Sequence, residues 1–333
     1  MLQSLGWAAT AATVGHCIDL EEQARVGSVL SNPERIDPQT IEHLDAVLWH
    51  CKRQDDALGP RGVLDTVLAQ RELVRSLLPQ CPATLRPRLL STLSNASRLA
   101  GWLSFDLNDF TSAGYYYDDA RAQAHEAQNI ELGAVVLSGM SHLATWQGKS
   151  RVGIDHAVAA RQWADQTSDM RLRAHCAAKA AKAYAADGQE EACLTALDEA
   201  EKALGGIGDQ APGYIYLYDE GLHISNCGEC HLALRNGDRA ADFAQQALAT
   251  LGQNSIRIVA LTTVDLGRAR VQSNEIDEGA RLLGDAGEIA AQNSSIRLIE
   301  VLKQGRTDLR PWQHTTAVRA LDDRSASHGL VLT

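Results

Sequence analysis

One recurrent spacing constrains this chain more than any other feature. Five segments share a plan: a small residue, six residues more, a turn rich in Gly or Asn, then a second small residue. They begin at Gly101, Ser141, Ala181, Cys230 and Gly267. Their turns are Asn108-Asp109, Gly148-Lys149, Gly188-Gln189, Gly237-Asp238 and Asn274-Glu275, spaced by 40, 40, 49 and 37 residues. Five residues past the first turn position stand Ala113, Gly153, Cys193 and Gly279. Seven further stand Ala120, Ala160, Ala200 and Ala286. The fourth unit fits only with its second helix slipped by one, which brings Ala241 near the first of these slots.

Helical hairpins explain the pattern. Two antiparallel helices joined by a tight turn need small residues where their backbones approach, and Gly or Asn where the chain caps in a left-handed conformation. Each hairpin leaves an apolar face uncovered, so the units must stack. The plan is similar to tetratricopeptide repeats, whose usual period is about 34. The expected fold is all-α: a right-handed solenoid of tetratricopeptide-like helical hairpins. The expected segments are 1–36 at the N-terminus, an N-terminal hairpin over 37–84, repeats over 85–302, and a capping helix with a tail over 303–333.

The flanks follow the same style. Asp37-Pro38 opens a helix with an N-cap carboxylate and proline at the first helical position. Ile41, Leu44, Leu48 and Cys51 then recur at helical spacing. Gly59-Pro60 breaks the chain before a second helix carrying Val63, Val67, Val74 and Leu78. The alternating YIYLY, Tyr214 to Tyr218, is the one strand-like stretch. It is expected to begin a helix after Pro212-Gly213.

Bulk properties narrow the class. A net charge of −11 argues against a dominant nucleic-acid surface, which needs clustered Lys and Arg to displace counterions. The 7 cysteines, at 17, 51, 81, 176, 193, 227 and 230, form no recurring framework and read as reduced thiols of a cytoplasmic protein. The apolar start LGWAATAATVG lacks a basic region before it, and no apolar run is long enough to span a bilayer.

Candidate chemistry is sparse. HISNCGECH, His223 to His231, holds Cys227-x-x-Cys230-His231, the spelling of a haem attachment site, and could also be read as a zinc site. At about 1.5 Å rise per residue His223 and His231 lie roughly 12 Å apart along a helix. One zinc cannot collect all four side chains, so the segment reads as a repeat helix with Cys230 in its small slot. The Gly-rich GGIGDQAPG, Gly205 to Gly213, has no strand before it and reads as an inter-repeat loop. His125-Glu126 has no second histidine at zinc-protease spacing, and Asp55-Asp56, Asp118-Asp119 and Asp322-Asp323 read as solvated acids. H-E-x-x-H, G-x-S-x-G and P-loop patterns are missing. Enzymatic activity, cofactors and metals are not expected.

The run RIDPQTIEHLDAVLWHCKRQDDALGPRGVLDTVLAQRELVRSLLP resembles the region that follows the DNA-binding domain in actinobacterial Cro/C1-type (XRE) helix-turn-helix regulators. So do AGWLSFDLNDFTSAGYYYDDARAQAHEA, SHLATWQGKS and LRPWQHTTAVRALDDR, and together they extend the resemblance from about Gly6 to Arg324. It implies a regulatory repeat region that forms a homodimer or senses a small signal, a peptide or a partner protein. Only five residues precede Gly6, so no direct contact with nucleic acid is expected of this chain, and none with membrane.

Projecting the repeats gives a ligand groove. In tetratricopeptide-like stacks the first helix of each hairpin lines the concave face. The slots three and six before the small residue, and one, four and five after it, include Asn95, Arg98, Trp102, Asp106, His142 and Trp146. Further along they include His175, Lys182, Cys227, His231, Arg235 and Arg268. Asp106 is the only acid, against four Lys or Arg and three His. The expected site is an electropositive groove with Trp102 and Trp146 as apolar anchors, built to receive an anionic group. Two other readings stand beside it: a self-associating scaffold whose groove is filled by its own chain, and a metal-dependent enzyme.

Overall fold

The computed structural model describes residues 25, 27–29, 31–208, 213–252, 256–292 and 295–332. The apolar start Leu5–Gly15, Cys17 and loop residues 209–212 lie outside them. The described residues contain helices and turns and no strand. Five hairpins form the solenoid. They are α3 (Arg86–Asp106) with α4 (Phe110–Glu126), α5 (Ile130–Trp146) with α6 (Ser150–Ala164), α7 (Met170–Ala186) with α8 (Glu190–Gly205), α9 (Glu220–Ala233) with α10 (Gly237–Thr250), and α11 (Ile256–Gln272) with α12 (Ile276–Ala290). Each pair packs along its length, and successive pairs stack. Among the described residues, α1 (Pro38–Leu58) and α2 (Leu64–Leu77) precede them, and α13 (Ile296–Asp308) and α14 (Thr316–Ser327) follow. A division after residue 302 therefore cuts through α13, which packs on α11 and α12 as part of the stack.

The turns show why the spacing is legible. Asn108, Gly148, Gly188, Arg235 and Asn274 all have φ between 62° and 75°. In each case the next residue's N–H donates to a carbonyl five residues back: Asp109 to Ser104, Lys149 to Ala144, Gln189 to Tyr184, Asn236 to His231 and Glu275 to Arg270. This is the closing bond of a Schellman cap. Helix starts are fixed by side chains: Asp37, Asp109, Asn129, Asp169, Asp219, Ser295 and Thr315 each accept the backbone N–H three residues on.

The fourth hairpin corrects the register. Its left-handed residue is Arg235, not Gly237, so its small slot is Gly228, seven residues earlier. A Cβ on Gly228 would lie 3.3 Å from both the Ala240 carbonyl oxygen and the Ala244 nitrogen, as tight an approach as Gly267 makes to the Gly279 carbonyl. Ala240 and Ala247, both buried, then occupy the second-helix slots without any slip. The left-handed residues are spaced by 40, 40, 47 and 39.

YIYLY also departs from expectation. Tyr214 to Leu217 form turns, and the next helix begins only at Glu220, capped by Asp219. The aromatic residues are anchored on other helices instead of continuing one. Tyr216 packs against Trp49 of α1 with ring centroids 4.4 Å apart, and Tyr218 is 1% exposed against His175 of α7. The segment is a strap running from the repeats to α1.

Candidate functional site: a clasped cleft on the concave side

The two ends of the stack meet. Arg257, at the start of α11, donates to both carboxylate oxygens of Asp55 on α1, at 3.0 Å each, and to Asp106 on α3 at 3.2 Å. Arg297 of α13 donates to the other oxygen of Asp106 at 2.8 Å. Asp55 also accepts from the Trp102 indole at 3.0 Å. Both carboxylates are 0% exposed. The two guanidinium groups lie over Trp102, at 5.5 Å and 5.1 Å from its ring. Burial pushes the Asp106 carboxyl up, but Arg297 and Arg257 outweigh it and hold it below its ordinary range. This clasp joins residues 151 to 202 positions apart.

Beside the clasp, under the strap, lies a cleft of about 230 Å³. Its walls come from α1, α3, α4 (through Tyr117), α5, α7, α9, α11, α13 and the strap, and they are largely apolar. Six cations face it: Lys52, Arg98, Lys179, Lys182, Arg257 and Arg297. Three acids do: Asp56, Glu229 and Asp265. The cations differ in how they are neutralised. Arg257 and Arg297 belong to the clasp, and Lys182 is paired with Glu229. Arg98 donates twice, at 2.8 Å and 3.1 Å, and among the described residues only to the neutral Asn95 amide oxygen. Lys52 donates to the Tyr214 carbonyl at 3.4 Å and lies over the Tyr216 ring. Lys179 makes no hydrogen bond or ion pair among the described residues.

The electrostatics follow. Burial, helped by Arg98, lowers the Lys52 ammonium to about 7. Burial, helped by Lys182, lowers Lys179 to about 7. His175 is held neutral by burial and by Lys179, Lys52, Lys182 and Arg98 together, which places all four cations around one imidazole. His142 is likewise held well below its ordinary value by burial and Lys179, and its buried Nε2 has no partner. Burial, with Glu229 nearby, raises Asp265 to about 7. A second, larger hollow of about 550 Å³ adjoins the cleft, sharing His142, Lys182 and Glu229 with it, and is flanked by Trp146 and by Lys303 of α13.

No protein-family model matches the chain, and no curated protein matches it. Solved structures do. The crystal structure of a Rap protein complexed with Competence and Sporulation Factor is 13% identical, with a TM-score of 0.54, covering 94% of this chain and 98% of that one. The apo form of the quorum sensor NprR from B. thuringiensis is 13% identical with a TM-score of 0.47, covering 94% of each chain. BtubC (BKLC) from P. vanneervenii is 17% identical with a TM-score of 0.48, covering 68% of this chain and 89% of that one. The Rap likeness is one of fold. It agrees with the helical hairpins described above.

The cleft gathers five of the residues projected as a groove: Arg98, Trp102, His142, His175 and Lys182. Asn95 stands behind Arg98 as its hydrogen-bond acceptor, and Trp146 lines the second hollow. Four projected residues lie elsewhere. Cys227 is buried in the core between hairpins, 3.7 Å from the His223 ring. His231 stacks on Phe243 of α10 at 5.3 Å. Arg235 is the exposed left-handed turn residue, and Arg268 is paired with Asp308 at 2.7 Å. Asp106 is in the clasp. The first three misplacements share one cause. With Gly228 as the small slot, the groove positions of α9 become Leu222, Ser225, Glu229 and Ala233, with Leu232 at the remaining slot buried in the core. The first three line the cleft and the fourth lines the second hollow.

The same correction changes the charge of the groove. Glu229 and Asp265 stand among the cations, so the concave face carries both signs and not a nearly acid-free surface. Lys52, Asp56 and the strap were missed because α1 and the inter-repeat loop lie outside the repeat projection. Lys179, one turn after His175 on α7, falls between projected slots and could have been found by extending the helical face by i+4.

Proposed function

We propose that this chain is a sensing module of a regulatory system, working by binding and not by catalysis. A small signal or peptide taken into the concave cleft would set how the solenoid presents itself to a partner protein. The observation that carries this reading is Lys52, Arg98 and Lys179 around one cleft without dedicated carboxylates. Burying charge without partners costs several kcal/mol, about 3–5 when one member of a pair is missing. Perturbed ionisable groups gathered in a cleft are a recognised mark of binding sites.

Two further points support a regulatory role. The quoted segments resemble the regulatory region of XRE regulators, which favours a link to transcription through a partner. The Rap protein of like fold was crystallised with Competence and Sporulation Factor.

The test uses the full-length protein purified from its own host. Native mass spectrometry is expected to show a retained small mass that disappears on denaturation. The low-molecular-weight fraction of a host extract is expected to raise the melting temperature, since a ligand at about 100 Kd adds about 2.7 kcal/mol. A bare mass together with an unshifted melt would overturn the reading. The same spectrum reports whether the chain is a homodimer, as the resemblance implies.

The strap favours a second reading, in which the groove is partly filled by the chain itself. Tyr216 donates to Asp56 and packs on Trp49, and Arg171 holds the Tyr218 carbonyl at 2.8 Å. In that case the extract fraction leaves the melt unchanged, while Tyr216→Ala destabilises the protein.

A further inference from the structure

The cleft also indicates what kind of molecule fits it. We infer that its ligand is a compact organic monoanion, an apolar or aromatic body ending in one carboxylate. The carboxylate is seated among Arg98, Lys52 and Lys179, and the body lies against Trp102 and Leu222. This inference rests on the reading of the cleft as a ligand site.

Three observations select this class. The first is charge. Arg98, Lys52 and Lys179 come from three different helices, α3, α1 and α7, and face one space. Arg98 has only an amide acceptor, Lys52 only a carbonyl and a ring face, and Lys179 no partner among the described residues. Asp56 acts on Lys52 and Arg98, and Glu229 on Lys179, but none of the three cations makes an ion pair with a carboxylate among the described residues, and a ligand carboxylate supplies one with charge-assisted hydrogen bonds. The unpartnered Nε2 of His142 is a further polar atom in the same wall.

The second observation limits the charge. Asp56, Glu229 and Asp265 share the cleft, and with Lys52 and Lys179 lowered to about 7 the cationic side does not supply the full charge that a dianion such as a phosphate ester needs. A monoanion can sit on the cationic side and present an uncharged body to the rest. Specificity by repulsion of the wrong charge is a general device.

The third is size. About 230 Å³ is smaller than the roughly 300–1,000 Å³ of pockets that hold drug-sized ligands. The concave space beside α1 is taken by the strap, and the second hollow, past His142, Lys182 and Glu229, holds none of Lys52, Arg98 and Lys179. Tyr214 accepts from Lys52, its hydroxyl meets Asn129 at 3.4 Å, and Tyr216 is fixed to Trp49 and Asp56. An extended peptide would have to evict these contacts, whereas a one- or two-ring acid would not.

The experiment compares 2-naphthoate with 2-naphthamide, which share a body and differ in charge, by calorimetry on the full chain. Naphthoate is expected to bind with 1:1 stoichiometry and at least about tenfold more tightly than the amide. Lys179→Met and Arg98→Met are each expected to weaken naphthoate about 10- to 100-fold and to leave the amide unchanged. Lys303→Met, in the second hollow, should change neither. Absence of saturable naphthoate binding, equal affinity for the amide, or an unchanged affinity in Lys179→Met would each overturn the inference. The wild-type ratio of the two ligands stands even if a variant folds poorly. If a host fraction stabilises the protein but loses that effect after peptidase treatment, the ligand is a peptide. The compact anion is then wrong while the sensing role survives.

Discussion

Two groups of charge border the same cleft, one buried and one half-buried, and they are built in opposite ways. In the clasp, Arg257 and Arg297 meet Asp55 and Asp106 with at least one bond of 3.0 Å or less for each guanidinium, and Trp102 fills the space over them. A few residues away, Lys52, Arg98 and Lys179 face the cleft with hydrogen bonds only to neutral groups or none among the described residues, and the carboxylates of Asp56 and Glu229 act on the two lysines without pairing with them. Asp56 stands between the groups, accepting from Arg257 at 3.4 Å and from Tyr216 while facing Lys52. The lesson is that burial alone does not define a role for charge. Neutralised charge holds the two ends of the stack together, and charge left over is available to something that arrives from outside.

That contrast can be broken most directly at Asp106. Asp106→Ala leaves Arg297 without a carboxylate and removes one of Arg257's partners, and is expected to cost about 3–5 kcal/mol in urea denaturation at neutral pH. Replacing both members, Asp106→Leu with Arg297→Met, should recover most of the loss. A cost below about 1 kcal/mol for the single change would mean that the ends do not meet in solution. Acid gives the same comparison a pH axis. The Asp106 carboxyl is depressed in the folded state, so its contribution is full above the unfolded value of about 3.9 and is lost as pH falls through the lower folded value. Wild type should therefore lose more stability than Asp106→Ala between pH 4 and the acid end of the titration.

Lys179→Met should act with the opposite sign and a smaller size. It is expected to stabilise the ligand-free protein by about 1–2 kcal/mol at pH 6, because a half-buried ammonium without an ion pair is replaced by an apolar chain of like length. The groups bearing on Lys179 are Lys182, Glu229, Arg297 and Cys176, of which two are cationic and only Glu229 is a carboxylate. The folded lysine titrates at about 7 and the unfolded one at 10.5, so the penalty is complete below 7. It declines as pH rises toward 10.5, and the gain from the substitution declines with it. A gain that does not shrink between pH 7 and 10 would show that the lysine is not responsible.

Tyr216→Phe gives the smallest effect and sharpens the boundary between the two groups. It removes the hydroxyl that donates to Asp56 while keeping the ring on Trp49, and should cost about 1 kcal/mol. If Asp56 is shared as described, naphthoate affinity should fall slightly as well, because the freed carboxylate lies beside Lys52.

Much of the fold was legible because hairpins leave local marks. The first three units place a left-handed Asn or Gly and a small residue at fixed offsets, and these are short-range demands of sterics that a sequence must show. The fourth unit hid its turn behind Arg235, a residue not expected at positive φ, while Gly237 two residues on drew the assignment. That two-residue error carried Cys227, His231 and Arg235 into the groove and kept Glu229 out. A register on a helix is unforgiving, since two residues turn a side chain by about 200°. The strap was illegible for another reason. YIYLY is apolar enough to continue a helix, but Gly213 and the capping Asp219 leave it in turns, and its aromatic residues find partners on α1 and α7. The clasp left no mark at all, because no spacing rule connects Asp55 to Arg257.

The reach of that clasp has a consequence during synthesis. Every hairpin joins helices that are neighbours in the chain, so the solenoid can condense one unit at a time as it leaves the ribosome. Asp106 cannot meet Arg257 until 151 further residues have been made. At about 5–20 residues per second, this takes about 8–30 s. For that interval the nascent protein is an open spiral with Asp55 and Asp106 still in water. The aromatic face of Trp102, Phe105 and Trp146 is likewise uncovered by Arg297. The last helices to emerge are the ones that turn the spiral into a ring, so a chain stopped before Arg297 would display that aromatic face permanently, as a surface for chaperones or for other unfinished copies.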